Sequence, residues 1–190
     1  MRWQASFLVA FSLFMGVVPI YSETPEEWIK LGARVHGGFG SFIPVGIRIG
    51  LDALDRLKAK LREVTVIYYD SSKAPCACIA DGVSIATVAT AGQRTLVMSP
   101  EKAPAGAIAM IIIRSKKTQE ALKYTVSESW LPKLAEINKR FDPDGRYEQV
   151  MKAEGLFDVV PFVGQTLPLR LGPGVLLDQI QRHRLKGGAQ

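Results

Sequence analysis

The chain has 190 residues, 47% of them hydrophobic and 22% charged, with a formal net charge of +6. That hydrophobic share fills a core and excludes intrinsic disorder. Two cysteines, Cys76 and Cys78, exclude a disulfide-stapled mini-protein and a four-cysteine zinc site.

The first residues read as a secretory leader. Arg2 is basic, Ala5 to Val18 is uncharged, Pro19 breaks the run, and Ser22 is a small residue at the expected cut. The apolar stretch is 14 residues, short of the ~20 a spanning helix needs. The expected organisation is a signal peptide over 1–22, an α+β domain over 23–160 and a Pro/Gly-interrupted tail over 161–190. The mature chain then carries +5 and has no membrane span, and its localisation is periplasmic or secreted. The sole asparagine, Asn138, lies outside any glycosylation sequon.

Thr24-Pro25-Glu26-Glu27 predicts a helix start, with a capping hydroxyl, proline at the first position and acids in the first turn. Trp28, Leu31 and Val35 form its expected apolar face, and His36-Gly37-Gly38 ends it. A second helix is predicted from Ile43 to Arg62, with Ile47, Leu51, Leu54, Leu57 and Leu61 as one stripe. Gly46 and Gly50 cost this helix ~1 kcal/mol each relative to alanine, a pattern that suits close approach of another backbone.

Val64 to Tyr69 is β-branched and aromatic, hence a strand. After a polar loop from Asp70 to Pro75, a short helix is expected from Asp81 to Thr90, and a strand from Thr95 to Met98. Ser99 to Gly106 reads as a loop. Ala107 to Arg114 is apolar throughout and reads as a central strand. Helices are expected over Thr118–Val126, Ser129–Phe141 and Gly145–Ala153, the last after the turn Asp142-Pro143-Asp144. Val175 to Leu185 reads as a final helix. This order predicts an α+β fold with a small mixed β-sheet packed with helices, and no doubly wound alternation.

Few residues carry chemistry. His36 stands at a helix end, and Cys76-Ala77-Cys78 precedes Asp81 near a helix start. A thiol near a helix N-terminus is available as ligand or nucleophile, whereas Asp81 there also serves as a simple cap. A Cys76–Cys78 disulfide would close a very tight ring, yet two free thiols are unusual in an oxidising compartment. Metal binding, a redox role and protected burial each account for the pair. No haem attachment motif, P-loop, dinucleotide fingerprint, zinc-protease helix or nucleophile elbow is present. His183 lies in a basic tail and reads as solvated. Dispersed basic residues argue against nucleic-acid binding.

Two segments together resemble a known family. His36-Gly37-Gly38-Phe39-Gly40-Ser41, followed by an apolar stretch to Gly46-Ile47-Arg48, is similar to the opening motif H-G-H-x-C-P…G-x-R of the FmdE family, which takes its name from formylmethanofuran dehydrogenase. Cys78-Ile79-Ala80-Asp81-Gly82-Val83-Ser84 with Thr90-Ala91-Gly92 resembles its second motif, C-x-x-D-x-I-Q with a later T-x-G. The second histidine of that pattern is Gly38 here, its cysteine is Gly40 and its proline Ser41. The resemblance covers Trp28 to Arg114. It implies a homodimer-forming core and a divalent-metal or small-ligand site near His36 and Cys78. With Asp81, these residues form a thinned ligand set suited to zinc or a similar metal. It points to a binding or accessory protein. The alternatives are an interaction protein with a decayed site, and an enzyme with Cys78 as nucleophile and His36 as base. For that enzyme the sequence offers no evident group to orient the histidine.

Overall fold

The computed structural model describes residues 23–164. The expected leader and the expected helix at Val175 to Leu185 lie outside the described residues. Helix α1 spans Pro25–His36 and opens with the expected start signal. Thr24 Oγ1 accepts from the Glu27 amide at 3.3 Å, and Glu27 accepts from the Thr24 amide at 2.6 Å, a reciprocal capping box. Gly37, at φ +86°, ends the helix in the left-handed conformation that suits glycine.

Helix α2 spans Phe42–Arg56, strand β1 Val64–Asp70, helix α3 Cys78–Thr87, strand β2 Leu96–Lys102 and strand β3 Ala107–Ser115. Strand β4 spans Ala121–Ser127; a short 3-10 turn over Glu128–Trp130 then leads into helix α4 at Leu131–Arg140. Helix α5, Pro143–Lys152, and strand β5, Asp158–Pro161, complete the described chain. The five strands form one sheet in the order β2-β1-β3-β4-β5. β1 and β2 are parallel and every other pair is antiparallel, so the sheet is mixed and the fold is α+β. The crossover between the two parallel strands contains α3.

Alternate residues of the sheet face the helices. Val64, Val66 and Tyr68 of β1, Ile111 and Ile113 of β3, and Tyr124 and Val126 of β4 join Ile43, Ile47, Leu54, Ile79 and Val83 in the main core. Ile67, Ile112 and Ala121 form a small cluster on the opposite face, with Tyr69 and Phe162 against it.

The helices pack closely where side chains are missing. A Cβ on Gly46 would lie 2.0 Å from the Ile79 carbonyl oxygen, and one on Gly82 would lie 2.1 Å from the Ile43 carbonyl oxygen. One on Gly50 would meet Ala86 Cβ at 2.6 Å. Small residues at matching turns of α2 and α3 therefore let the two backbones touch. This contact fixes where the N-terminus of α3 lies.

Several expectations are corrected. The helix expected over Thr118–Val126 is instead strand β4. Leu122, Tyr124 and Val126 alternate onto the helix-facing side, a period of two carried by aromatic and β-branched residues. Ser115 Oγ accepts from the Lys117 and Thr118 amides, and Gln119 turns back at φ +65°, so Thr118 and Gln119 form the bend of a hairpin. Helix α2 stops at Arg56, six residues early, because Lys58 (φ +47°) and Arg62 (φ +69°) leave helical conformation. Helix α3 begins at Cys78, three residues before Asp81. β2 continues through Pro100 to Lys102, which an edge strand tolerates because it needs no ladder donor there. On α1, Trp28 is buried, but Leu31 is 39% and Val35 55% exposed, so the expected apolar face is only partly covered.

Candidate functional site

The ends of α1 and α3 meet. His36 is the last residue of α1 and Cys78 the first of α3, while Cys76 sits two residues earlier in the loop from β1. One ligand atom from each of His36, Cys76 and Cys78 lies within 4.8 Å of the other two. The loop after His36 is anchored from behind. Ser41 is buried and its Oγ donates to the Leu134 carbonyl at 2.8 Å. Arg146 donates to the Phe39 carbonyl at 3.0 Å and to the Asn138 carbonyl at 2.7 Å. These bonds tie residues 39–41 to α4 and α5 and so hold the start of α2 against the site.

His36 Nδ1 lies 2.7 Å from Asp81 Oδ2, with the two side chains 31% and 37% exposed. A carboxylate only accepts, so the bond places a proton on Nδ1, and in the neutral ring the lone pair is then on Nε2. Asp81 is on the first turn of α3, shortly after Cys78. It thus supplies the orienting group for the histidine that the sequence alone does not reveal.

Cys76 and Cys78 are joined as a disulfide, with a Cα–Cα separation of 5.3 Å. That separation falls within the usual range for disulfides. No cysteine among the described residues is free. In this state neither sulfur is a thiolate nucleophile.

Tyr68 is a further polar group, one that in the sequence reads only as strand core. It is fully buried on β1, and its hydroxyl has no hydrogen-bond partner among the described residues. Burial, reinforced by the nearby carboxylates of Asp70 and Asp81, pushes the phenol well above its ordinary value. It therefore remains a neutral donor close to Asp81.

The sequence groups Asp81 with His36 and Cys78 as ligands and leaves Cys76 open between metal binding, a redox role and burial. In the structure Asp81 bonds His36, and Cys76 joins His36 and Cys78 in the donor group. Other motif positions are structural. Arg48 donates to the Val150 carbonyl at 3.0 Å and to the Ala153 carbonyl, and stacks 5.6 Å from the centre of the Phe157 ring. Its charge thus satisfies the C-terminal end of α5. Thr90 Oγ1 accepts from the Gln93 amide at 3.2 Å and closes a turn before β2.

A family model described as "FmdE, Molybdenum formylmethanofuran dehydrogenase operon" matches residues 35–161, about two thirds of the chain. The match begins one residue before His36 and ends with β5. No curated protein matches the chain.

Proposed function

The chain belongs to the FmdE family, and from that premise we propose that it is a binding or accessory protein holding a divalent metal ion, zinc or a metal of similar preference, at His36, Cys76 and Cys78. The observation that carries this reading is the mutual approach of the three donor atoms to within 4.8 Å. Tetrahedral ligands at zinc distances of about 2.0–2.3 Å stand roughly 3.3–3.8 Å from one another. Reduction of the Cys76–Cys78 bond would free the two thiolates, which would then move apart to that spacing beside the His36 imidazole. The donor chemistry fits as well, since soft sulfur and imidazole suit zinc.

Asp81 has the role of a positioning residue in this reading. Its bond to Nδ1 sets the tautomer and the ring orientation, and so presents Nε2 to the ion. Three protein donors leave a fourth position for water or a small ligand. The ion would supply Lewis acidity at that position; the protein's residues orient what binds there.

We extend the proposal to the setting of the protein. The leader pattern over 1–22 supports export to a periplasmic or extracellular space. The homodimer is the assembly that the family resemblance implies, and Leu31 and Val35, exposed one turn apart on α1, are residues it could cover. Among the described residues no helix is long and apolar enough to cross a membrane. Metal analysis of the purified, reduced protein tests the core of this function. About one zinc per chain, lost on His36→Ala and Cys78→Ser, is the expected result; no bound zinc overturns it.

A further inference from the structure

The same two sulfur atoms serve two arrangements that exclude each other. Cys76 and Cys78 are bonded to one another, and they also supply two of the three donors that converge with His36. The thiolate is the metal-ligating form of cysteine, and a disulfide has none to give. We propose that the Cys76–Cys78 pair is a redox gate on this site: the dithiol form takes a divalent cation, and the disulfide form releases it. This inference rests on the metal reading above and adds its regulation.

The surroundings of the pair assign different roles to the two cysteines. Cys78 is 6% exposed and begins α3, whose backbone is locked against α2 through Gly46 and Gly82. Cys76 is half-buried in the loop from β1, outside any helix or strand. An incoming small thiol of the glutathione class therefore reaches Cys76 first. Its thiolate attacks Cys76 Sγ, the S–S bond breaks, and Cys78 departs as the thiolate. A second thiol then attacks the mixed disulfide at its non-protein sulfur and frees Cys76. The sum is one protein disulfide plus two small thiols giving a protein dithiol plus one small disulfide, with two electrons and two protons transferred.

The return path uses the small disulfide as oxidant. Cys76 thiolate attacks it and expels one small thiolate; Cys78 thiolate then attacks Cys76 Sγ and expels the second. The two thiolates that could hold a cation are consumed in the new S–S bond. His36, held by Asp81, is the one donor of the three that both states retain. One imidazole alone is a weak site, so release follows closure of the bond.

The test equilibrates the full chain in glutathione buffers of defined ratio with zinc present. Mass spectrometry after alkylation reads the disulfide fraction, and a chromophoric chelator reads bound zinc. Expected are about one zinc per chain in the reduced protein, and at least a tenfold loss of occupancy that tracks disulfide formation. Cys78→Ser should accumulate glutathione on Cys76, and Cys76→Ser at least tenfold less on Cys78. Zinc held equally in both states, a disulfide that never forms in oxidising buffer, or glutathione favouring Cys78 overturns the gate and leaves the metal reading standing. Absence of zinc from the reduced protein overturns the metal reading, and the gate with it.

Discussion

Nδ1 of His36 lies 2.7 Å from Oδ2 of Asp81, although 45 residues separate them in the chain. The bond joins the last residue of α1 to the first turn of α3 and fixes which ring nitrogen is free. Asp81→Asn keeps the shape and removes the charge. Zinc affinity should fall by about 10–100-fold, the usual cost of losing a carboxylate behind a metal-binding histidine. Because both side chains are about one third exposed, the thermal midpoint should hardly move. Isothermal titration with zinc, paired with a melting curve, checks both halves; an unchanged affinity contradicts the positioning role.

The abutment of α2 and α3 tolerates no added methyl. Gly82→Ala places a Cβ 2.1 Å from the Ile43 carbonyl oxygen, and backbone cannot yield as a flexible side chain does. A loss of about 3 kcal/mol is expected, at the upper end of ordinary overpacking. Gly92→Ala is the control, since nothing lies within 4 Å of its Cβ position. Urea denaturation of the two variants reads the difference, and equal midpoints contradict the close-packing account.

Arg48 matches a family motif position yet points to structure. Its guanidinium bonds two carbonyls at the end of α5 and stacks on Phe157. Arg48→Met keeps much of the volume and leaves those carbonyls without their charged donor. Stability should drop by about 2 kcal/mol, while zinc affinity per folded molecule stays the same. Denaturation and zinc titration on the same sample separate the two effects.

Gly38 stands where the family pattern has its second histidine. Nothing lies within 4 Å of its Cβ position, and its φ is not in the left-handed region. Gly38→His therefore introduces no clash and brings an imidazole to a position two residues from His36. It should tighten zinc binding by about tenfold, equivalent to ~1.4 kcal/mol. A competition titration against a chelator of known affinity measures this; an unchanged constant means that residue 38 does not reach the ion.

The end of α1 at His36 is legible in the sequence because Gly37 is a local stop signal, whereas the start of α3 at Cys78 is not, because Ala77 offers no side-chain cap; Cys78 and Asp81 stand out through their motif spacing. Gly46 and Gly50 are legible for a similar reason: two glycines one turn apart stand out in an otherwise apolar helix. For Cys76 the sequence leaves several roles open, because the path of the loop from β1 decides how near its sulfur comes to His36. The His36–Asp81 bond depends on the crossing of α1, α2 and α3, which no local pattern encodes. The segment at β4 misleads for a different reason. Ala121, Leu122 and Lys123 favour helix individually, and pairing with β3 and β5 overrides that preference. Leu31 and Val35 follow helical periodicity, but the core beneath α1 is met by Trp28, Ile29, Gly32 and Ala33 instead.

The most direct measurement is the zinc content of the reduced, purified chain by atomic emission, compared with His36→Ala, Cys76→Ser and Cys78→Ser. A site built from these three donors predicts about one zinc per chain in the parent protein and a loss of at least tenfold in affinity in each variant. A parent protein free of zinc after exposure to the metal under reducing conditions, or zinc retained undiminished in all three variants, would contradict it.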